Sequence, residues 1–455
     1  MNSEQYNLTE GGILKKLLFV AVPIMGTQLM QMAYNLTDIF WLGRMEDSVT
    51  AVAASGLGGM FLWLSVALMM IGRMGAEIGT SQNIGRRHME AARSFAQDSM
   101  RISFILGLLY GAVLILFAGT LVSLLQVKEA LLFDSTCTYL SIIGFGIPFT
   151  YVSAAITGAF NGAGNSRIGF LANATGLVIN MLLDPLMILG FDWGIKGAAI
   201  ATVIAQMTVL LLFLWFVKRH PQRPFEEFKL LGKIDKDRFK IILGWSIPVA
   251  MESGAFTLLS MVVTAMISAW YGEIGVAVHE IGTQIESMSW LIGTGFSSAI
   301  TAFIGQNYGA EKWDRIRKAY KLSLGLLLTW EVIVTIILVF GGRFLFSIFL
   351  SNPAEILDMG AVYLRILAAS QVFMGLEGVC AGIFRGLGKT LPPSLCSIAS
   401  NILRPIVCWI FAQWIGMNGL WLGIAVTASL RGLSMFVWFT IYSKGIPRGS
   451  ESGTE

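Results

Sequence analysis

Asn180-Met181-Leu182-Leu183-Asp184-Pro185 lies inside an apolar run that extends from Ile168 to Leu189. A helix over that run, rising about 1.5 Å per residue, is long enough to cross the roughly 30 Å hydrocarbon core of a bilayer. A carboxylate within such a helix costs about 2.5–3.5 kcal/mol even on the mildest insertion scale, so intramembrane acids are read first as functional. Asn180 and Asp184 are four residues apart and share one helix face. Pro185 has no N–H, which deprives the Met181 carbonyl of its helical donor. A carboxylate, an amide oxygen and a freed carbonyl then face one way. These are hard oxygen ligands for a small cation, or a place to hold a proton. A polar knot locking neighbouring helices together is the structural alternative.

Working outward, the whole chain has the same character. Its 455 residues are 55% hydrophobic and 13% charged, against about 25% charged in soluble domains. The chain reads as an all-α polytopic membrane protein. Twelve spanning segments are expected: 17–42, 50–74, 102–125, 139–160, 168–189 and 194–217, then 239–270, 276–305, 322–340, 356–384, 392–414 and 417–442. The first run is too long for a signal-peptide core and lacks a small-residue cleavage site, so no cleaved leader is expected. Pro23, Pro148, Pro248 and Pro405 are candidate kinks. The four cysteines have no metal-ligand spacing and read as reduced packing residues.

Lysines and arginines orient the segments. Lys218–Lys240 holds eight of them, and the loops after the second and eighth segments add Arg86, Arg87, Arg93, Lys312, Arg315, Arg317, Lys318 and Lys321. The alternate loops hold only Arg44, Lys128, Lys196 and Arg343. By the positive-inside rule both termini are cytoplasmic, in an inner or plasma membrane. Topology explains these basic runs, and no nucleic-acid partner is expected.

The chain also repeats. Gln82-Asn83-Ile84-Gly85 returns 224 residues later as Gln306-Asn307-Tyr308-Gly309, and Gly158-Ala159-Phe160 as Gly382-Ile383-Phe384 at the same offset; Pro23 and Pro248 differ by 225. A unit of six helices is even, so the two halves are parallel repeats. The expected organisation is a first lobe over 1–217, a cytoplasmic linker over 218–238 and a second lobe over 239–455.

With this topology Asp38, Asp184 and Thr202 fall roughly 8, 9 and 12 Å below the outer helix ends, and Tyr34 lies one turn below Asp38. Two carboxylates brought close need a cation between them, or one of them holds a proton. The second half carries Glu252, Glu280, Glu286, Glu331, Glu377, Arg365, Arg404 and Arg431 within its segments. Some of these pair with one another in the structural reading. Glu252, Glu286 and Glu377, with Tyr34, are the candidates for a substrate cavity.

Enzymatic signals fail. Gly386-Leu387-Gly388-Lys389-Thr390 ends like a P-loop, but Ile383 stands where the motif needs glycine. His279-Glu280 is followed by Thr283 where a zinc-protease motif needs histidine, and G-x-S-x-G does not occur. The chain is expected not to be an enzyme and to need no cofactor.

Tyr34-Asn35-Leu36-Thr37-Asp38, Asn180–Pro185, Gly197-Ala198-Ala199-Ile200-Ala201-Thr202, Gly305–Ala310 and Phe384-Arg385-Gly386 occur in an order and spacing that resemble the MATE (multidrug and toxic compound extrusion) transporters of the MOP superfamily. The resemblance covers nearly the whole chain. It implies twelve helices in two six-helix lobes, and efflux of amphipathic, often cationic compounds by alternating access, driven by inward H⁺ or Na⁺. It also implies that Asp38, Asn180, Asp184 and Thr202 bind the coupling proton or Na⁺. The family's NorM-type members add acids in helices 7 and 10. Here Met374 stands at the helix-10 position, with Glu377 about one turn away, so a DinF-like member relying on the first lobe fits better. A monomer embedded in lipid, with small amphipathic substrates, is the expectation. The alternatives are a lipid-linked saccharide flippase of the same superfamily, which would use Arg365, Arg404 and Arg431 to form a cationic cleft, an intramembrane enzyme, and a passive channel.

Overall fold

The computed structural model describes residues 6–42, 44–45, 48–127, 129–219, 229, 232–349, 354–445 and 447; the side chains of residues 34–36, 38, 39, 49, 219 and 354 are not described. Among the described residues the chain is helical, with no strand. The helices are α1 Ile13–Leu42, α2 Ser48–Gly85, α3 Met89–Leu116, α4 Ala118–Leu124, α5 Ala130–Gly162, α6 Ser166–Pro185, α7 Gly194–Arg219, α8 Lys236–Gly309, α9 Trp313–Ser347, α10 Ala354–Gly386, α11 Leu391–Ile415 and α12 Met417–Ser443. A π-helical turn, Leu186–Gly190, continues α6 past Pro185.

Eleven of these helices are long and apolar enough to cross a membrane. One of them, α8, has 74 residues, which at about 1.5 Å each far exceeds one bilayer. It breaks at Gly272, where φ is 62° and ψ −156°, a conformation open only to glycine. Its limbs, 236–271 and 273–309, make two crossings and bring the total to the expected twelve.

Several boundaries differ from expectation: α2 runs on to Gly85 where the segment was expected to end at 74, α5 begins at Ala130 rather than 139, and α9 spans Trp313–Ser347 rather than 322–340. The segment expected at 102–125 begins at Met89 and is interrupted at Phe117 (φ −114°, ψ 17°) between α3 and α4. Hydropathy marks only the stretch that meets lipid. Residues 89–101 are more polar but helical, because Ala92 and Ala96 pack on Ala76 and Ala159.

The chain forms two compact units: residues 22–250 with the N-terminal 8 residues, and residues 251–455 with 9–21. In the first unit α5 packs on α2, α3 and α7, and α6 on α7. Tyr151 is buried among these helices and donates to the Ser65 carbonyl (2.8 Å). In the second unit α10 packs on α9 and α12, and α11 on α12, around Tyr363 and Trp421.

The sequence repeat is also a repeat of contacts. A Cβ on Gly158 would lie 2.5 Å from the Arg73 carbonyl oxygen, and one on Gly382 would lie 2.7 Å from that of Ser297. Gly162 meets the Glu77 carbonyl (2.6 Å) and Gly386 the Thr301 carbonyl (2.8 Å) in the same way. All four pairs keep the 224-residue offset. Small residues let the backbones touch, as packing between membrane helices requires. The Asn83 and Asn307 amides each donate to their own helix, to the carbonyls of Gly79 and Phe303, both at 2.8 Å. Helix ends match too. His88 N donates to Asn83 O and Lys312 N to Asn307 O, each at 2.9 Å, closing the two helices with left-handed residues Arg87 (φ 63°) and Glu311 (φ 56°). Glu311→Gly relieves this strain and is expected to stabilise the folded protein by about 0.5–1 kcal/mol, whereas Gly382→Val forces α10 off α8 and lowers the unfolding temperature. Thermal unfolding in detergent measures both.

Before α8, Asp235 Oδ1 accepts the backbone N–H groups of Arg238 (2.9 Å) and Asp237 (3.1 Å), an N-cap. These donors, with Arg238's charge, hold the Asp235 carboxyl below its ordinary value. A depressed carboxyl stabilises the fold above its unfolded-state pKa, and the contribution disappears as pH falls through the folded value. The first turn of α8 is therefore expected to lose hydrogen-exchange protection below about pH 4, and Asp235→Ala to show that loss already at neutral pH.

Candidate ion-coupling site and the buried charges of the second unit

Asn180 and Asp184 are both fully buried on α6. The Asn180 Nδ2 donates to Asp184 Oδ1 at 3.1 Å, as the four-residue spacing predicts. The amide nitrogen is spent on the carboxylate, so the Asn180 Oδ1 remains as an acceptor; it receives no hydrogen bond among the described residues. Just beyond Asp184, Pro185 ends the α-helical pattern and the chain widens into the π-helical turn. Phe191 N closes that turn on Leu186 O at 2.9 Å. Such turns relieve a disrupted hydrogen-bond ladder without leaving the helix.

The register of α7 against α6 follows from two close approaches. Gly176 faces Val209, and Gly197 faces the Met187 carbonyl (2.5 Å from a Cβ). The helices run antiparallel, so Thr202 lies opposite residues 182–183, between the levels of Asn180 and Asp184. Thr202 is buried, at 6% exposure. The structure thus brings three of the four predicted coupling residues to one stretch of the α6–α7 contact. The side chains of Asp38 and Tyr34 lie outside the described residues, although the α1 backbone passes through both positions.

The candidate cavity acids of the second unit are bound to other residues. Arg385 Nη2 reaches both oxygens of Glu252 at 3.2 Å, and Ser394 Oγ donates to Glu252 Oε2 at 2.9 Å. Arg431 Nε donates to Glu377 Oε2 at 2.7 Å. Glu286 Oε1 accepts from the Gln371 amide at 2.9 Å, and the buried Glu331 accepts from Ser289 at 3.0 Å. Glu280 is exposed.

Arg385, Gln371 and Asn401 did not figure among the predicted site residues. Arg385 was visible as part of a repeat motif, but nothing local links it to Glu252, 133 residues away. Asn401 is detectable by helical spacing, because it lies three residues before Arg404 and so shares its helix face.

Two repeated six-helix halves crossed by glycines, the first with an acid–amide pair inside a spanning helix, have the architecture of a multi-pass membrane transporter. A family model described as MatE matches residues 23–186 and 248–410, one copy in each half, and the chain belongs to the MatE family. The two matches start 225 residues apart and end 224 apart, in agreement with the repeat. The chain is 26% identical over 437 residues to a probable multidrug resistance protein NorM of Thermotoga maritima, covering 94% of this chain and 92% of that one. It is 23% identical over 441 residues to the multidrug export protein MepA of Staphylococcus aureus, with 95% of each covered. Its fold matches a MATE crystal structure in the bent conformation (TM-score 0.90, 21% identity, 97% and 98% of the two chains). It also matches a MOP superfamily transporter from Pyrococcus furiosus (TM-score 0.88, 20% identity, 98% and 99%).

Glu252 is held in an ion pair with Arg385. Both partners of its ion pair are mostly buried, at 16% and 21% side-chain exposure, and removing one carboxylate leaves a guanidinium uncompensated. Glu252→Gln is expected to destabilise the protein by about 1–3 kcal/mol. The double variant Glu252→Gln with Arg385→Met should recover most of that loss in a thermal unfolding cycle.

Proposed function

We propose that the chain is a secondary active exporter of amphipathic organic compounds, which exchanges them for H⁺ or Na⁺ by alternating access. The observation that carries this reading is the buried Asn180–Asp184 pair on α6, with Thr202 level with it on α7. A buried carboxylate supported by an amide is a favourable place for a proton or a small cation. Asp38, one turn beyond Tyr34 on α1, completes the set in this proposal. The substrate range rests on the relatives named as multidrug proteins.

Binding of the cation shifts the balance between outward- and inward-open states by as much as its affinities for the two states differ. The lobes that exchange access are the repeat halves, 1–217 and 239–455, joined by 218–238. The protein works as a monomer of the inner or plasma membrane with both termini in the cytoplasm, without nucleic acid, cofactor or catalytic step. Because arginines already neutralise Glu252 and Glu377, a DinF-like scheme, coupled through the first lobe, fits better than a NorM-like one. The flippase reading has less support, since of its three arginines Arg431 is paired with Glu377 and Arg365 is exposed on α10, which leaves Arg404.

Dye efflux from proteoliposomes, with pH and Na⁺ gradients imposed separately, tests the proposal. One gradient alone is expected to drive efflux, and Asp184→Asn to abolish driven efflux while the protein still inserts and elutes as a monodisperse species. Asn180→Ala removes a hydrogen bond to a charged group, worth about 1.5–3 kcal/mol. The half-saturating Na⁺ concentration, or the pH midpoint, should therefore shift by about tenfold or more. Movement of the dye under neither gradient would overturn the multidrug reading.

A further inference from the structure

In the second half, the repeat offset replaces the coupling pair with groups of opposite character. Arg404 stands 224 residues after Asn180, Cys408 stands 224 after Asp184, and Thr427 stands 225 after Thr202. The positions are equivalent in structure as well as in count, because Cys408 faces Gly423 across the α11–α12 contact as the end of α6 faces the start of α7. Where the first unit has a carboxylate and an amide, the second has a guanidinium and a thiol.

Arg404 is 93% buried, being 7% exposed, and it makes neither a hydrogen bond nor an ion pair among the described residues. Its Nε is buried without an acceptor. Its cationic carbon lies 5.7 Å from the centroid of the Phe256 ring. Among the described residues the titratable groups in electrostatic reach include Glu286, Glu377, Arg431 and Cys408, and His279 and Tyr363. Glu377 is taken by Arg431 at 2.7 Å and Glu286 by the Gln371 amide at 2.9 Å, so neither closes on Arg404. Asn401, one turn away on the buried face of α11, is 1% exposed, and both its Oδ1 and its Nδ2 lack partners.

A guanidinium is a planar set of N–H donors suited to carboxylate and phosphate oxygens. A buried donor left unmatched carries a desolvation penalty that a ligand acceptor would remove. We propose that Arg404 and Asn401 form an anion-receiving subsite in the second unit, which takes the carboxylate, sulfonate or phosphate group of an amphiphile. This inference deepens the exporter reading and rests on it for the claim that the bound amphiphile is transported. It extends the substrate class from cationic to anionic and zwitterionic amphiphiles, which are recognised in the half that lacks the coupling acids.

The test uses the full chain in nanodiscs of zwitterionic lipid and two probes with the same dodecyl tail, dodecyl sulfonate and dodecyltrimethylammonium. Each competes against a bound fluorescent amphiphile of its own sign. Arg404→Gln is expected to weaken sulfonate binding by tenfold or more while ammonium binding stays within twofold, with Arg404→Lys intermediate. The unfolding temperature of ligand-free Arg404→Gln should equal or exceed that of the wild type, because an unmatched buried charge is removed. A structural arginine would instead lower it. Unchanged sulfonate affinity in Arg404→Gln, or equal loss of both probes, overturns the subsite. If Arg404→Gln does not fold, Asn401→Ala takes its place with the same expectation of selective sulfonate loss. Adding phosphatidylglycerol identifies the source of the anion: competition marks a lipid headgroup, and its absence marks a soluble amphiphile. Cation-dye efflux by the wild-type protein, measured alongside, separates failure of this subsite from failure of the exporter reading.

Discussion

Inside hydrocarbon a peptide N–H or C=O finds no water, so each must be satisfied within its own helix or by an immediate neighbour. Everything else in this structure is built under that constraint. Helices run through the apolar stretches, with an interruption at Phe117 in the 102–125 stretch, and several close on their own carbonyls through left-handed residues at Arg87, Gly164, Glu311 and Gly388. Where Pro185 breaks the pattern, the backbone widens into a π turn rather than leaving donors unmatched. Because lipid supplies no strong hydrophobic drive between helices, contact depends on close approach. Glycines at 158, 162, 382 and 386 supply it by resting on the carbonyls of the neighbouring helix.

The two halves share this scaffold and differ in their charge. In the first, an amide supports a buried carboxylate, an arrangement that leaves oxygen atoms for a cation or a proton. In the second, each of two partly buried acids is held by an arginine, and a third arginine is left over. Ion pairs in such surroundings roughly offset their own desolvation, so they serve mainly to set geometry. Among the described residues the Arg404 guanidinium has no ion-pair partner and lies against the Phe256 ring. The same frame occurs twice, and the positions of Asn180 and Asp184 are taken in the second copy by Arg404 and Cys408.

Much of this was legible from the residues. Hydropathy located all twelve crossings because lipid exposure demands apolar surface. The 224-residue offset was visible because glycine and asparagine at helix crossings and ends have few substitutes. Asn180 and Asp184 were legible as a pair because helical geometry converts a spacing of four into contact. Glu252 with Arg385 and Glu377 with Arg431 were not assignable, since tertiary packing alone joins residues so far apart in sequence. The helical extension over 89–101 was missed for a related reason. It is stabilised by alanine packing on other helices rather than by lipid, and hydropathy does not register that.

Asp98 is almost fully buried in the third turn of α3 and accepts from Arg101 (2.8 Å) and Arg238 (2.7 Å). Arg101 in turn donates to the carbonyls of Lys229 and Lys233, both at 3.1 Å. The stretch leading into α8 is therefore fastened to the first unit, and residues up to 250 belong to that unit. Covalent continuity and mechanical attachment diverge here. If the chain were expressed as two polypeptides severed between 219 and 229, the second fragment would carry at its own N-terminus a piece that belongs with the first. The halves would be complementary fragments that recognise each other through a shared buried carboxylate, rather than independent modules.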